Sequence, residues 1–242
     1  MNQERTNPGR MRAARAAGAR PKPRRVGRPA AASGAVLSRE AIIEAALDAF
    51  ATSGYEAMSI RELTRRLGVS HNLVHHYFRS KAELWRACID WSFGTLAREM
   101  TAALAAALAP APVGATDVLE RLRGLFRLFI TLTARYPANG LVISREGALG
   151  GPRFDYLFDN YVAPNLEVFR EVLAAGQAAG ALRPDLDLRT IFFLLTDGGA
   201  GPYTSRAFAK RLDPRDPQRA EVIAAHAALV ADVLIRGIAA AR

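Results

Sequence analysis

His71, His75 and His76 are three of the chain's four histidines, and all fall within GVSHNLVHHYFRSK, residues 68–81. The spacing of His71 and His75 puts two imidazoles on one helical face, as in a helix-borne zinc pair. The rest of such a site is absent nearby. No glutamate stands between them in the HExxH manner, and no third Cys, Asp or Glu ligand is close in sequence. On a helix His76 points about 100° away from His75. A catalytic cluster would lack a local nucleophile or carboxylate partner. A third chemistry uses the whole segment. In a short helix begun by Ser70, residues His71, Asn72, His75 and His76 share a polar face, while Val74 and Phe78 turn inward with Tyr77 part-buried. An apolar back and a front of donors and acceptors suit a helix lying in a DNA major groove. Neutral imidazole both donates and accepts hydrogen bonds, and its protonated form seeks phosphate.

The elements around this segment can be read from their ends. Ser38 can cap a helix that runs to Ser53, where Gly54 supplies a left-handed stop. Ile43, Leu47 and Phe50 recur along it at helical spacing, flanked by Ile42, Ala46 and Ala49. Its acids Glu40, Glu44 and Asp48 lie early and on the polar side, where they complement the helix dipole. Ser59-Ile-Arg-Glu62 and Ser80-Lys-Ala-Glu83 both carry the reciprocal capping-box pattern. Gly68 ends the helix begun at Ser59, and Ser70 opens another to about Tyr77. Residues 59–78 therefore predict a helix-turn-helix.

Beyond Trp85 the pattern changes to long helices. Val118, Leu122, Leu125, Phe129, Leu132 and Tyr136 alternate by four and three over Asp117–Tyr136, with Leu119, Phe126 and Ile130 widening the buried face. A further helix is predicted from about Arg153 to Ala179, kinked or split by Pro164. Asp187 can cap one that reaches Gly198-Gly199, and the last runs from about Gln218 to Ala240. No repeat or strand pattern is present, so the fold class is all-α.

Composition narrows the function. Half of the 242 residues are hydrophobic, and Cys88 is the lone cysteine, which excludes an intramolecular disulfide and fits a reducing compartment. The net charge of +10 is concentrated. Residues 1–36 carry nine Arg/Lys against one acid, 37–90 seven against seven, and 91–242 seventeen against fifteen. The basic arm 1–36 has no apolar period and is expected to be disordered alone. It reads as a solubilising leader or a phosphate-tracking arm. Its KPRRVGRP resembles the AT-hook core except that Val26 precedes Gly27, and Arg24, Arg25 and Arg28 would carry a minor-groove contact. No secretory signal is apparent, and MTAALAAALAPAPVGA is too short of strong apolar residues to span a bilayer. A soluble cytoplasmic protein is expected.

Residues 38–85 resemble the DNA-binding domain of the TetR/AcrR family of one-component transcriptional regulators. The match joins AALDAFATSGYEAMSI, IRELTRRLGVS and the segment ending HYFRSKAEL, with the Gly68-Val69-Ser70 turn and the bridge into helix four in order. The resemblance implies that Ser59 and Lys81 grip phosphate at the starts of helices two and four, and that Arg61 can reach a base. Each residue also has a plain structural reading, as cap, helix start or solvated charge. It places His71, Asn72, Leu73 and His76 on the exposed recognition helix. His75 replaces a phosphate-contacting tyrosine, and Asn72 replaces a commonly small residue with an amide suited to adenine. Arg61, Arg65, Arg79 and Lys81 are expected to cluster on the DNA side.

The resemblance divides the chain into the arm 1–36, the DNA-binding domain 37–84, and an effector-binding and dimerisation domain 85–242. It implies a homodimer in which the last two helices form a four-helix bundle. Ile191 and Leu195 would contribute from one, and Val222, His226, Leu229 and Val233 from the other. A small apolar or amphipathic effector, of unknown identity, would lie among Trp91, Phe126, Phe129, Tyr161, Phe169 and Phe192. Arg145-Glu146 and Asn160 with Asn165 would supply polar anchors. No cofactor, metal or membrane partner is implied. The expected function is a transcriptional repressor, not an enzyme, released from a palindromic double-stranded operator by its effector. Two rivals are a metal-dependent helical enzyme built on His71 and His75, and an architectural protein coating DNA through the arm.

Overall fold

The structure is a computed structural model and describes residues 37–107 and 115–240. The basic arm, with Arg24, Arg25 and Arg28, lies outside the described residues. The described elements are helical: α1 (Arg39–Ala57), α2 (Ile60–Leu67), α3 (His71–Tyr77), α4 (Lys81–Ala107), α5 (Ala115–Arg135) and α6 (Pro137–Leu149) come first. They are followed by α7 (Pro152–Leu157), α8 (Ala163–Ala178), α9 (Leu188–Phe193), α10 (Gly201–Thr204), α11 (Arg206–Leu212) and α12 (Ala220–Ile238). The fold is all-α. The only bridge among the described residues joins Leu182 and Ala239, and it ties the end of α12 to the turn after α8.

Local chemistry accounts for the early boundaries. The Ser38 hydroxyl accepts from Ala41 N–H at 3.2 Å. Gly54 interrupts α1 with φ 82° and ψ 167°, a glycine-only extended conformation instead of the expected left-handed helical one, and one further turn follows it. The two capping boxes form only in half. Ser59 accepts from Glu62 N–H at 3.4 Å and Ser80 from Glu83 N–H at 3.1 Å. The Glu62 carboxylate turns instead to Arg65, and Glu83 accepts from Arg79 N–H at 3.0 Å, one residue outside the box.

The later helices depart further from the periodic reading. α6 is an additional helix opened by Pro137 in its first turn, where a missing N–H costs little. The helix expected over 153–179, kinked or split by Pro164, is observed as α7, a π-helical turn at Phe158–Val162, and α8. Pro164 falls in the first turn of α8, so the break precedes it. Asp187 caps α9 as expected, accepting from Thr190 N–H at 2.9 Å, and a second π-helical turn spans Leu194–Gly199.

The first four helices share one core. Ile42, Ile43, Phe50, Leu63, Val74, Phe78, Leu84 and Trp85 pack together with Val142 of α6 and Leu157 of α7. The 84/85 boundary thus falls within the continuous helix α4. A second core joins α5, α8, α9 and α12 through Leu122, Phe126, Leu173, Ile191 and Ile235. α12 lies along α5, and Arg123 reaches across to Asp232 at 2.8 Å.

Candidate DNA-reading interface

α2 and α3 meet at Gly68, whose φ of 67° and ψ of 22° place it in the left-handed region open to glycine. Gly68 N–H donates to Arg65 O and Val69 N–H to Thr64 O, at 3.3 and 3.1 Å. Ser70 then accepts from Leu73 N–H at 3.2 Å, so a turn of three residues both closes α2 and opens α3.

The two faces of α3 separate as its sequence predicts. Val74 and Phe78 are 0% and 1% exposed. His71, Asn72, His75 and His76 are exposed, and Leu73 and Tyr77 are half-buried. The His71 and His75 rings meet edge to face with centroids 4.4 Å apart, and His76 lies edge-on to Tyr77 at 5.4 Å. Among the described residues no group of three or more His, Cys, Asp or Glu is placed to hold a metal ion. Ser59, Arg61, Val69 and His71 border one open groove of about 540 Å³ that joins the start of α2 to the start of α3.

The basic residues nearby are less interchangeable than their count suggests. Arg65 donates to both Glu62 oxygens, at 3.0 and 2.5 Å, and that hydrogen bonding holds the Glu62 carboxyl below its ordinary range. Arg66 donates to Ala45 O at 2.8 Å. Arg61 and Arg79 are exposed. Lys81 is half-buried: its ammonium donates to Glu56 O at 3.1 Å and lies 4.8 Å from the centre of the Tyr55 ring. An ammonium has three donors, so two remain for another partner. Sequence reasoning missed the Glu56 and Tyr55 contacts because they cross from the far end of α1.

Residues 42–88 match the model of bacterial regulatory proteins of the tetR family, and residues 119–234 match that of the tetracyclin repressor-like C-terminal domain. The chain belongs to the TetR family. This TetR-family chain is a DNA-binding transcriptional regulator, not an enzyme. It is 28% identical over 172 residues to the HTH-type transcriptional repressor KstR2 of Mycobacterium tuberculosis, covering 68% of this chain and 80% of that one. It is also 40% identical over 74 residues to the regulator BetI of Rhizobium meliloti, covering 31% and 36% of the two chains. The solved structure of the M. tuberculosis ketosteroid regulator KstR2 shares the fold with a TM-score of 0.57 and 23% identity over 84% of this chain and 95% of that one. Bacillus subtilis FadR in complex with stearoyl-CoA superposes with a TM-score of 0.55 and 18% identity, covering 81% and 97%.

The TetR body places the residues expected at the dimer interface in different surroundings. Ile191 and Leu195 are 1% and 4% exposed and belong to the intramolecular core, so they are not on a free face. His226 Nε2 lies 2.8 Å from Gly199 O, and its ring meets Tyr203 edge to face at 5.7 Å. That histidine packs within the chain, and Val222 is half-buried. Leu229 and Val233 are 64% and 60% exposed, and Phe193 and Leu194 also stand out.

The six aromatic residues expected around an effector are not gathered. Phe126 and Phe169 stack on each other in the body core, 6.2 Å apart. Phe129 packs beside that core. Trp91 and Tyr161 pack against the core that holds α1 to α4. Phe192 meets Phe193 edge to face on α9. The expected polar anchors are also engaged. Asn160 and Asn165 donate to the carbonyls of Tyr156 and Tyr161 one turn earlier, at 2.7 and 3.1 Å. Arg145 donates to Thr52 O of α1 at 3.3 Å, and Glu146 accepts from Arg153 of α7 at 3.1 Å.

No helix among the described residues is long and apolar enough to cross a membrane.

Proposed function

We infer that this regulator is a cytoplasmic homodimeric repressor that grips a palindromic operator with two copies of α3 and releases it when a small apolar or amphipathic molecule binds the body. The observation that carries this reading is α3 itself. Its polar front of His71, Asn72, His75 and His76 is exposed over an apolar back anchored by Val74 and Phe78. In this reading His71, Asn72, Leu73 and His76 meet base edges and Arg61 reaches in from α2. Ser59, Ser70, His75 and Lys81 meet phosphates.

Repression is supported by the repressor KstR2 relatives. Two-fold pairing is supported by the exposed apolar residues Phe193, Leu194, Leu229 and Val233 on α9, its π-helical turn and α12. An apolar effector is in keeping with the aromatic body, and FadR shows that the fold can hold stearoyl-CoA. Arg24, Arg25 and Arg28 would add minor-groove and phosphate contacts that raise affinity without specifying sequence.

Selection from a pool of random duplexes tests the reading. Enrichment of an inverted repeat with half-sites about one helical turn apart is expected. Retention of DNA without an enriched sequence would instead favour the arm as the binder.

A further inference from the structure

Two arginines of the body hold the last two turns of α1. Arg145 lies under the Gly54 turn, where a Cβ on the glycine would come within 2.5 Å of its Nη1, and its Nη2 donates to Thr52 O at 3.3 Å. Arg153 makes the larger set of contacts. Its Nε donates to the two Glu146 oxygens at 3.3 and 3.1 Å, and its Nη1 donates to Glu56 Oε1 at 3.4 Å. Its guanidinium also lies 4.1 Å from the centre of the Tyr55 ring. Glu146 is only 3% exposed. A carboxylate so buried is costly to leave without its cation, so the pair is held as a unit.

From this pair the contacts run to the DNA side. Tyr55 is wedged against Phe50, stacked at 5.8 Å, and Trp85, edge-on at 6.4 Å. Its ring carries two cations, Arg153 and Lys81. Glu56 answers both as well: its carboxylate takes Arg153 and its backbone carbonyl takes Lys81. The Lys81 ammonium therefore shares both of its described neighbours, Tyr55 and Glu56, with Arg153. A cation over an aromatic face contributes about 0.5–1 kcal/mol at an exposed site and more when desolvated, so neither contact alone would fix a lysine. Together they constrain it from two directions.

We propose that Glu146 and Arg153 are positioning residues for DNA binding: buried Glu146 fixes Arg153, Arg153 fixes Tyr55 and Glu56, and these hold the Lys81 ammonium where it meets phosphate. The last step rests on the reading of Lys81 given above; the earlier ones do not. Arg153 acts through Lys81 and touches no DNA.

The test uses the full chain with Arg153→Met and, as a gentler second variant, Glu146→Gln, both checked for helix content by circular dichroism. The chain has three lysines, Lys22, Lys81 and Lys210, so acetylation by a hydroxysuccinimide ester is read at each site by mass spectrometry, with Lys210 as the internal reference. Lys81 should react about two- to tenfold faster in both variants, the range set by losing about one net hydrogen-bond equivalent. Lys210 should not change. On a duplex selected by the wild-type protein, Arg153→Met should weaken binding about fivefold, and in a Lys81→Met background it should have almost no further effect. Unchanged Lys81 reactivity, or an equal loss of binding in both backgrounds, overturns the positioning role. A wild-type protein that selects no duplex overturns the function proposed above, and the acetylation rates still decide whether Arg153 positions Lys81.

Discussion

The exposed residues of α3 divide into those that would choose a sequence and those that would only hold DNA. If Asn72 and His76 meet base edges, replacing either by alanine should cost about 1–3 kcal/mol on the preferred duplex and relax preference at one base pair. Lys81→Met should weaken all duplexes alike and reduce the slope of log affinity against log salt by about one. Binding isotherms on matched and mismatched duplexes at several salt concentrations separate the two outcomes. Two buried groups make predictions of another kind. Burial pushes the Cys88 thiol far up, and its sulfur faces Ile43 O at 3.4 Å. Alkylation at pH 8 should therefore be negligible in the native protein and rapid once denaturant opens the first core. Tyr203 is 1% exposed, its hydroxyl has no partner among the described residues, and burial pushes its pKa up to about 12. The folded state then holds a proton that the unfolded state loses from about pH 10, so this contribution to stability is whole below pH 10 and fades as the pH rises toward 12. Tyr203→Phe should remove that alkaline loss and leave stability at pH 7 equal or higher by up to about 1 kcal/mol, since a polar atom buried alone is costly. Thermal melts at pH 7 and pH 11 read both effects. The polar and apolar sides of α3 were legible from its residue types. The partners of Lys81 were not, because Tyr55 and Glu56 become its neighbours only when α1 and α4 cross.

At the level of elements, legibility followed the locality of the signal. Ser38, Ser59, Ser70, Ser80 and Asp187 each mark a start through a bond to an amide three residues on, and all five act as caps. The helix-turn-helix was readable for that reason. α6 was not, because PANGLVISREGAL places a proline and two glycines in an element whose burial is decided by α1 across the chain. The π-helical turns before α8 and after α9 carry no sequence signature of their own, since they are choices between i+4 and i+5 bonding made by packing. The α12 seam was legible only in part, with Leu229 and Val233 exposed and His226 turned onto Gly199 and Tyr203. Apolar residues line both sides of that helix, so periodicity alone could not say which side lies on α5. Gly68 offers a test of the turn. It has open space around its Cβ position but a φ of 67°, so Gly68→Ala should cost about 1–2 kcal/mol through backbone strain alone. Chemical denaturation should show a lower midpoint with an unchanged slope. A loss below 0.3 kcal/mol, on the scale at which surface substitutions are neutral, would mean that the turn does not require the left-handed conformation.

On the scale of the whole molecule, the helix-turn-helix is fused through α4 and the α1–α6 contact to a helical body whose last helix exposes Leu229 and Val233. If that face of α12 pairs two copies, Leu229→Glu with Val233→Glu should shift the sedimentation of the protein from dimer to monomer, because each carboxylate would be buried against its own copy. The monomer should also lose DNA affinity, since one head meets only half a site. A double variant that stays dimeric would move the interface away from α12.

The central claim is that α3 reads DNA sequence. It is tested most directly by measuring how the full chain and a chain beginning at Leu37 discriminate the DNA upstream of the protein's own gene from scrambled DNA across a range of salt concentrations. Both should prefer the native fragment, and the shorter chain should bind more weakly with a shallower salt slope. A shorter chain that still binds but has lost all preference, while the full chain keeps it, would assign recognition to the arm instead of α3.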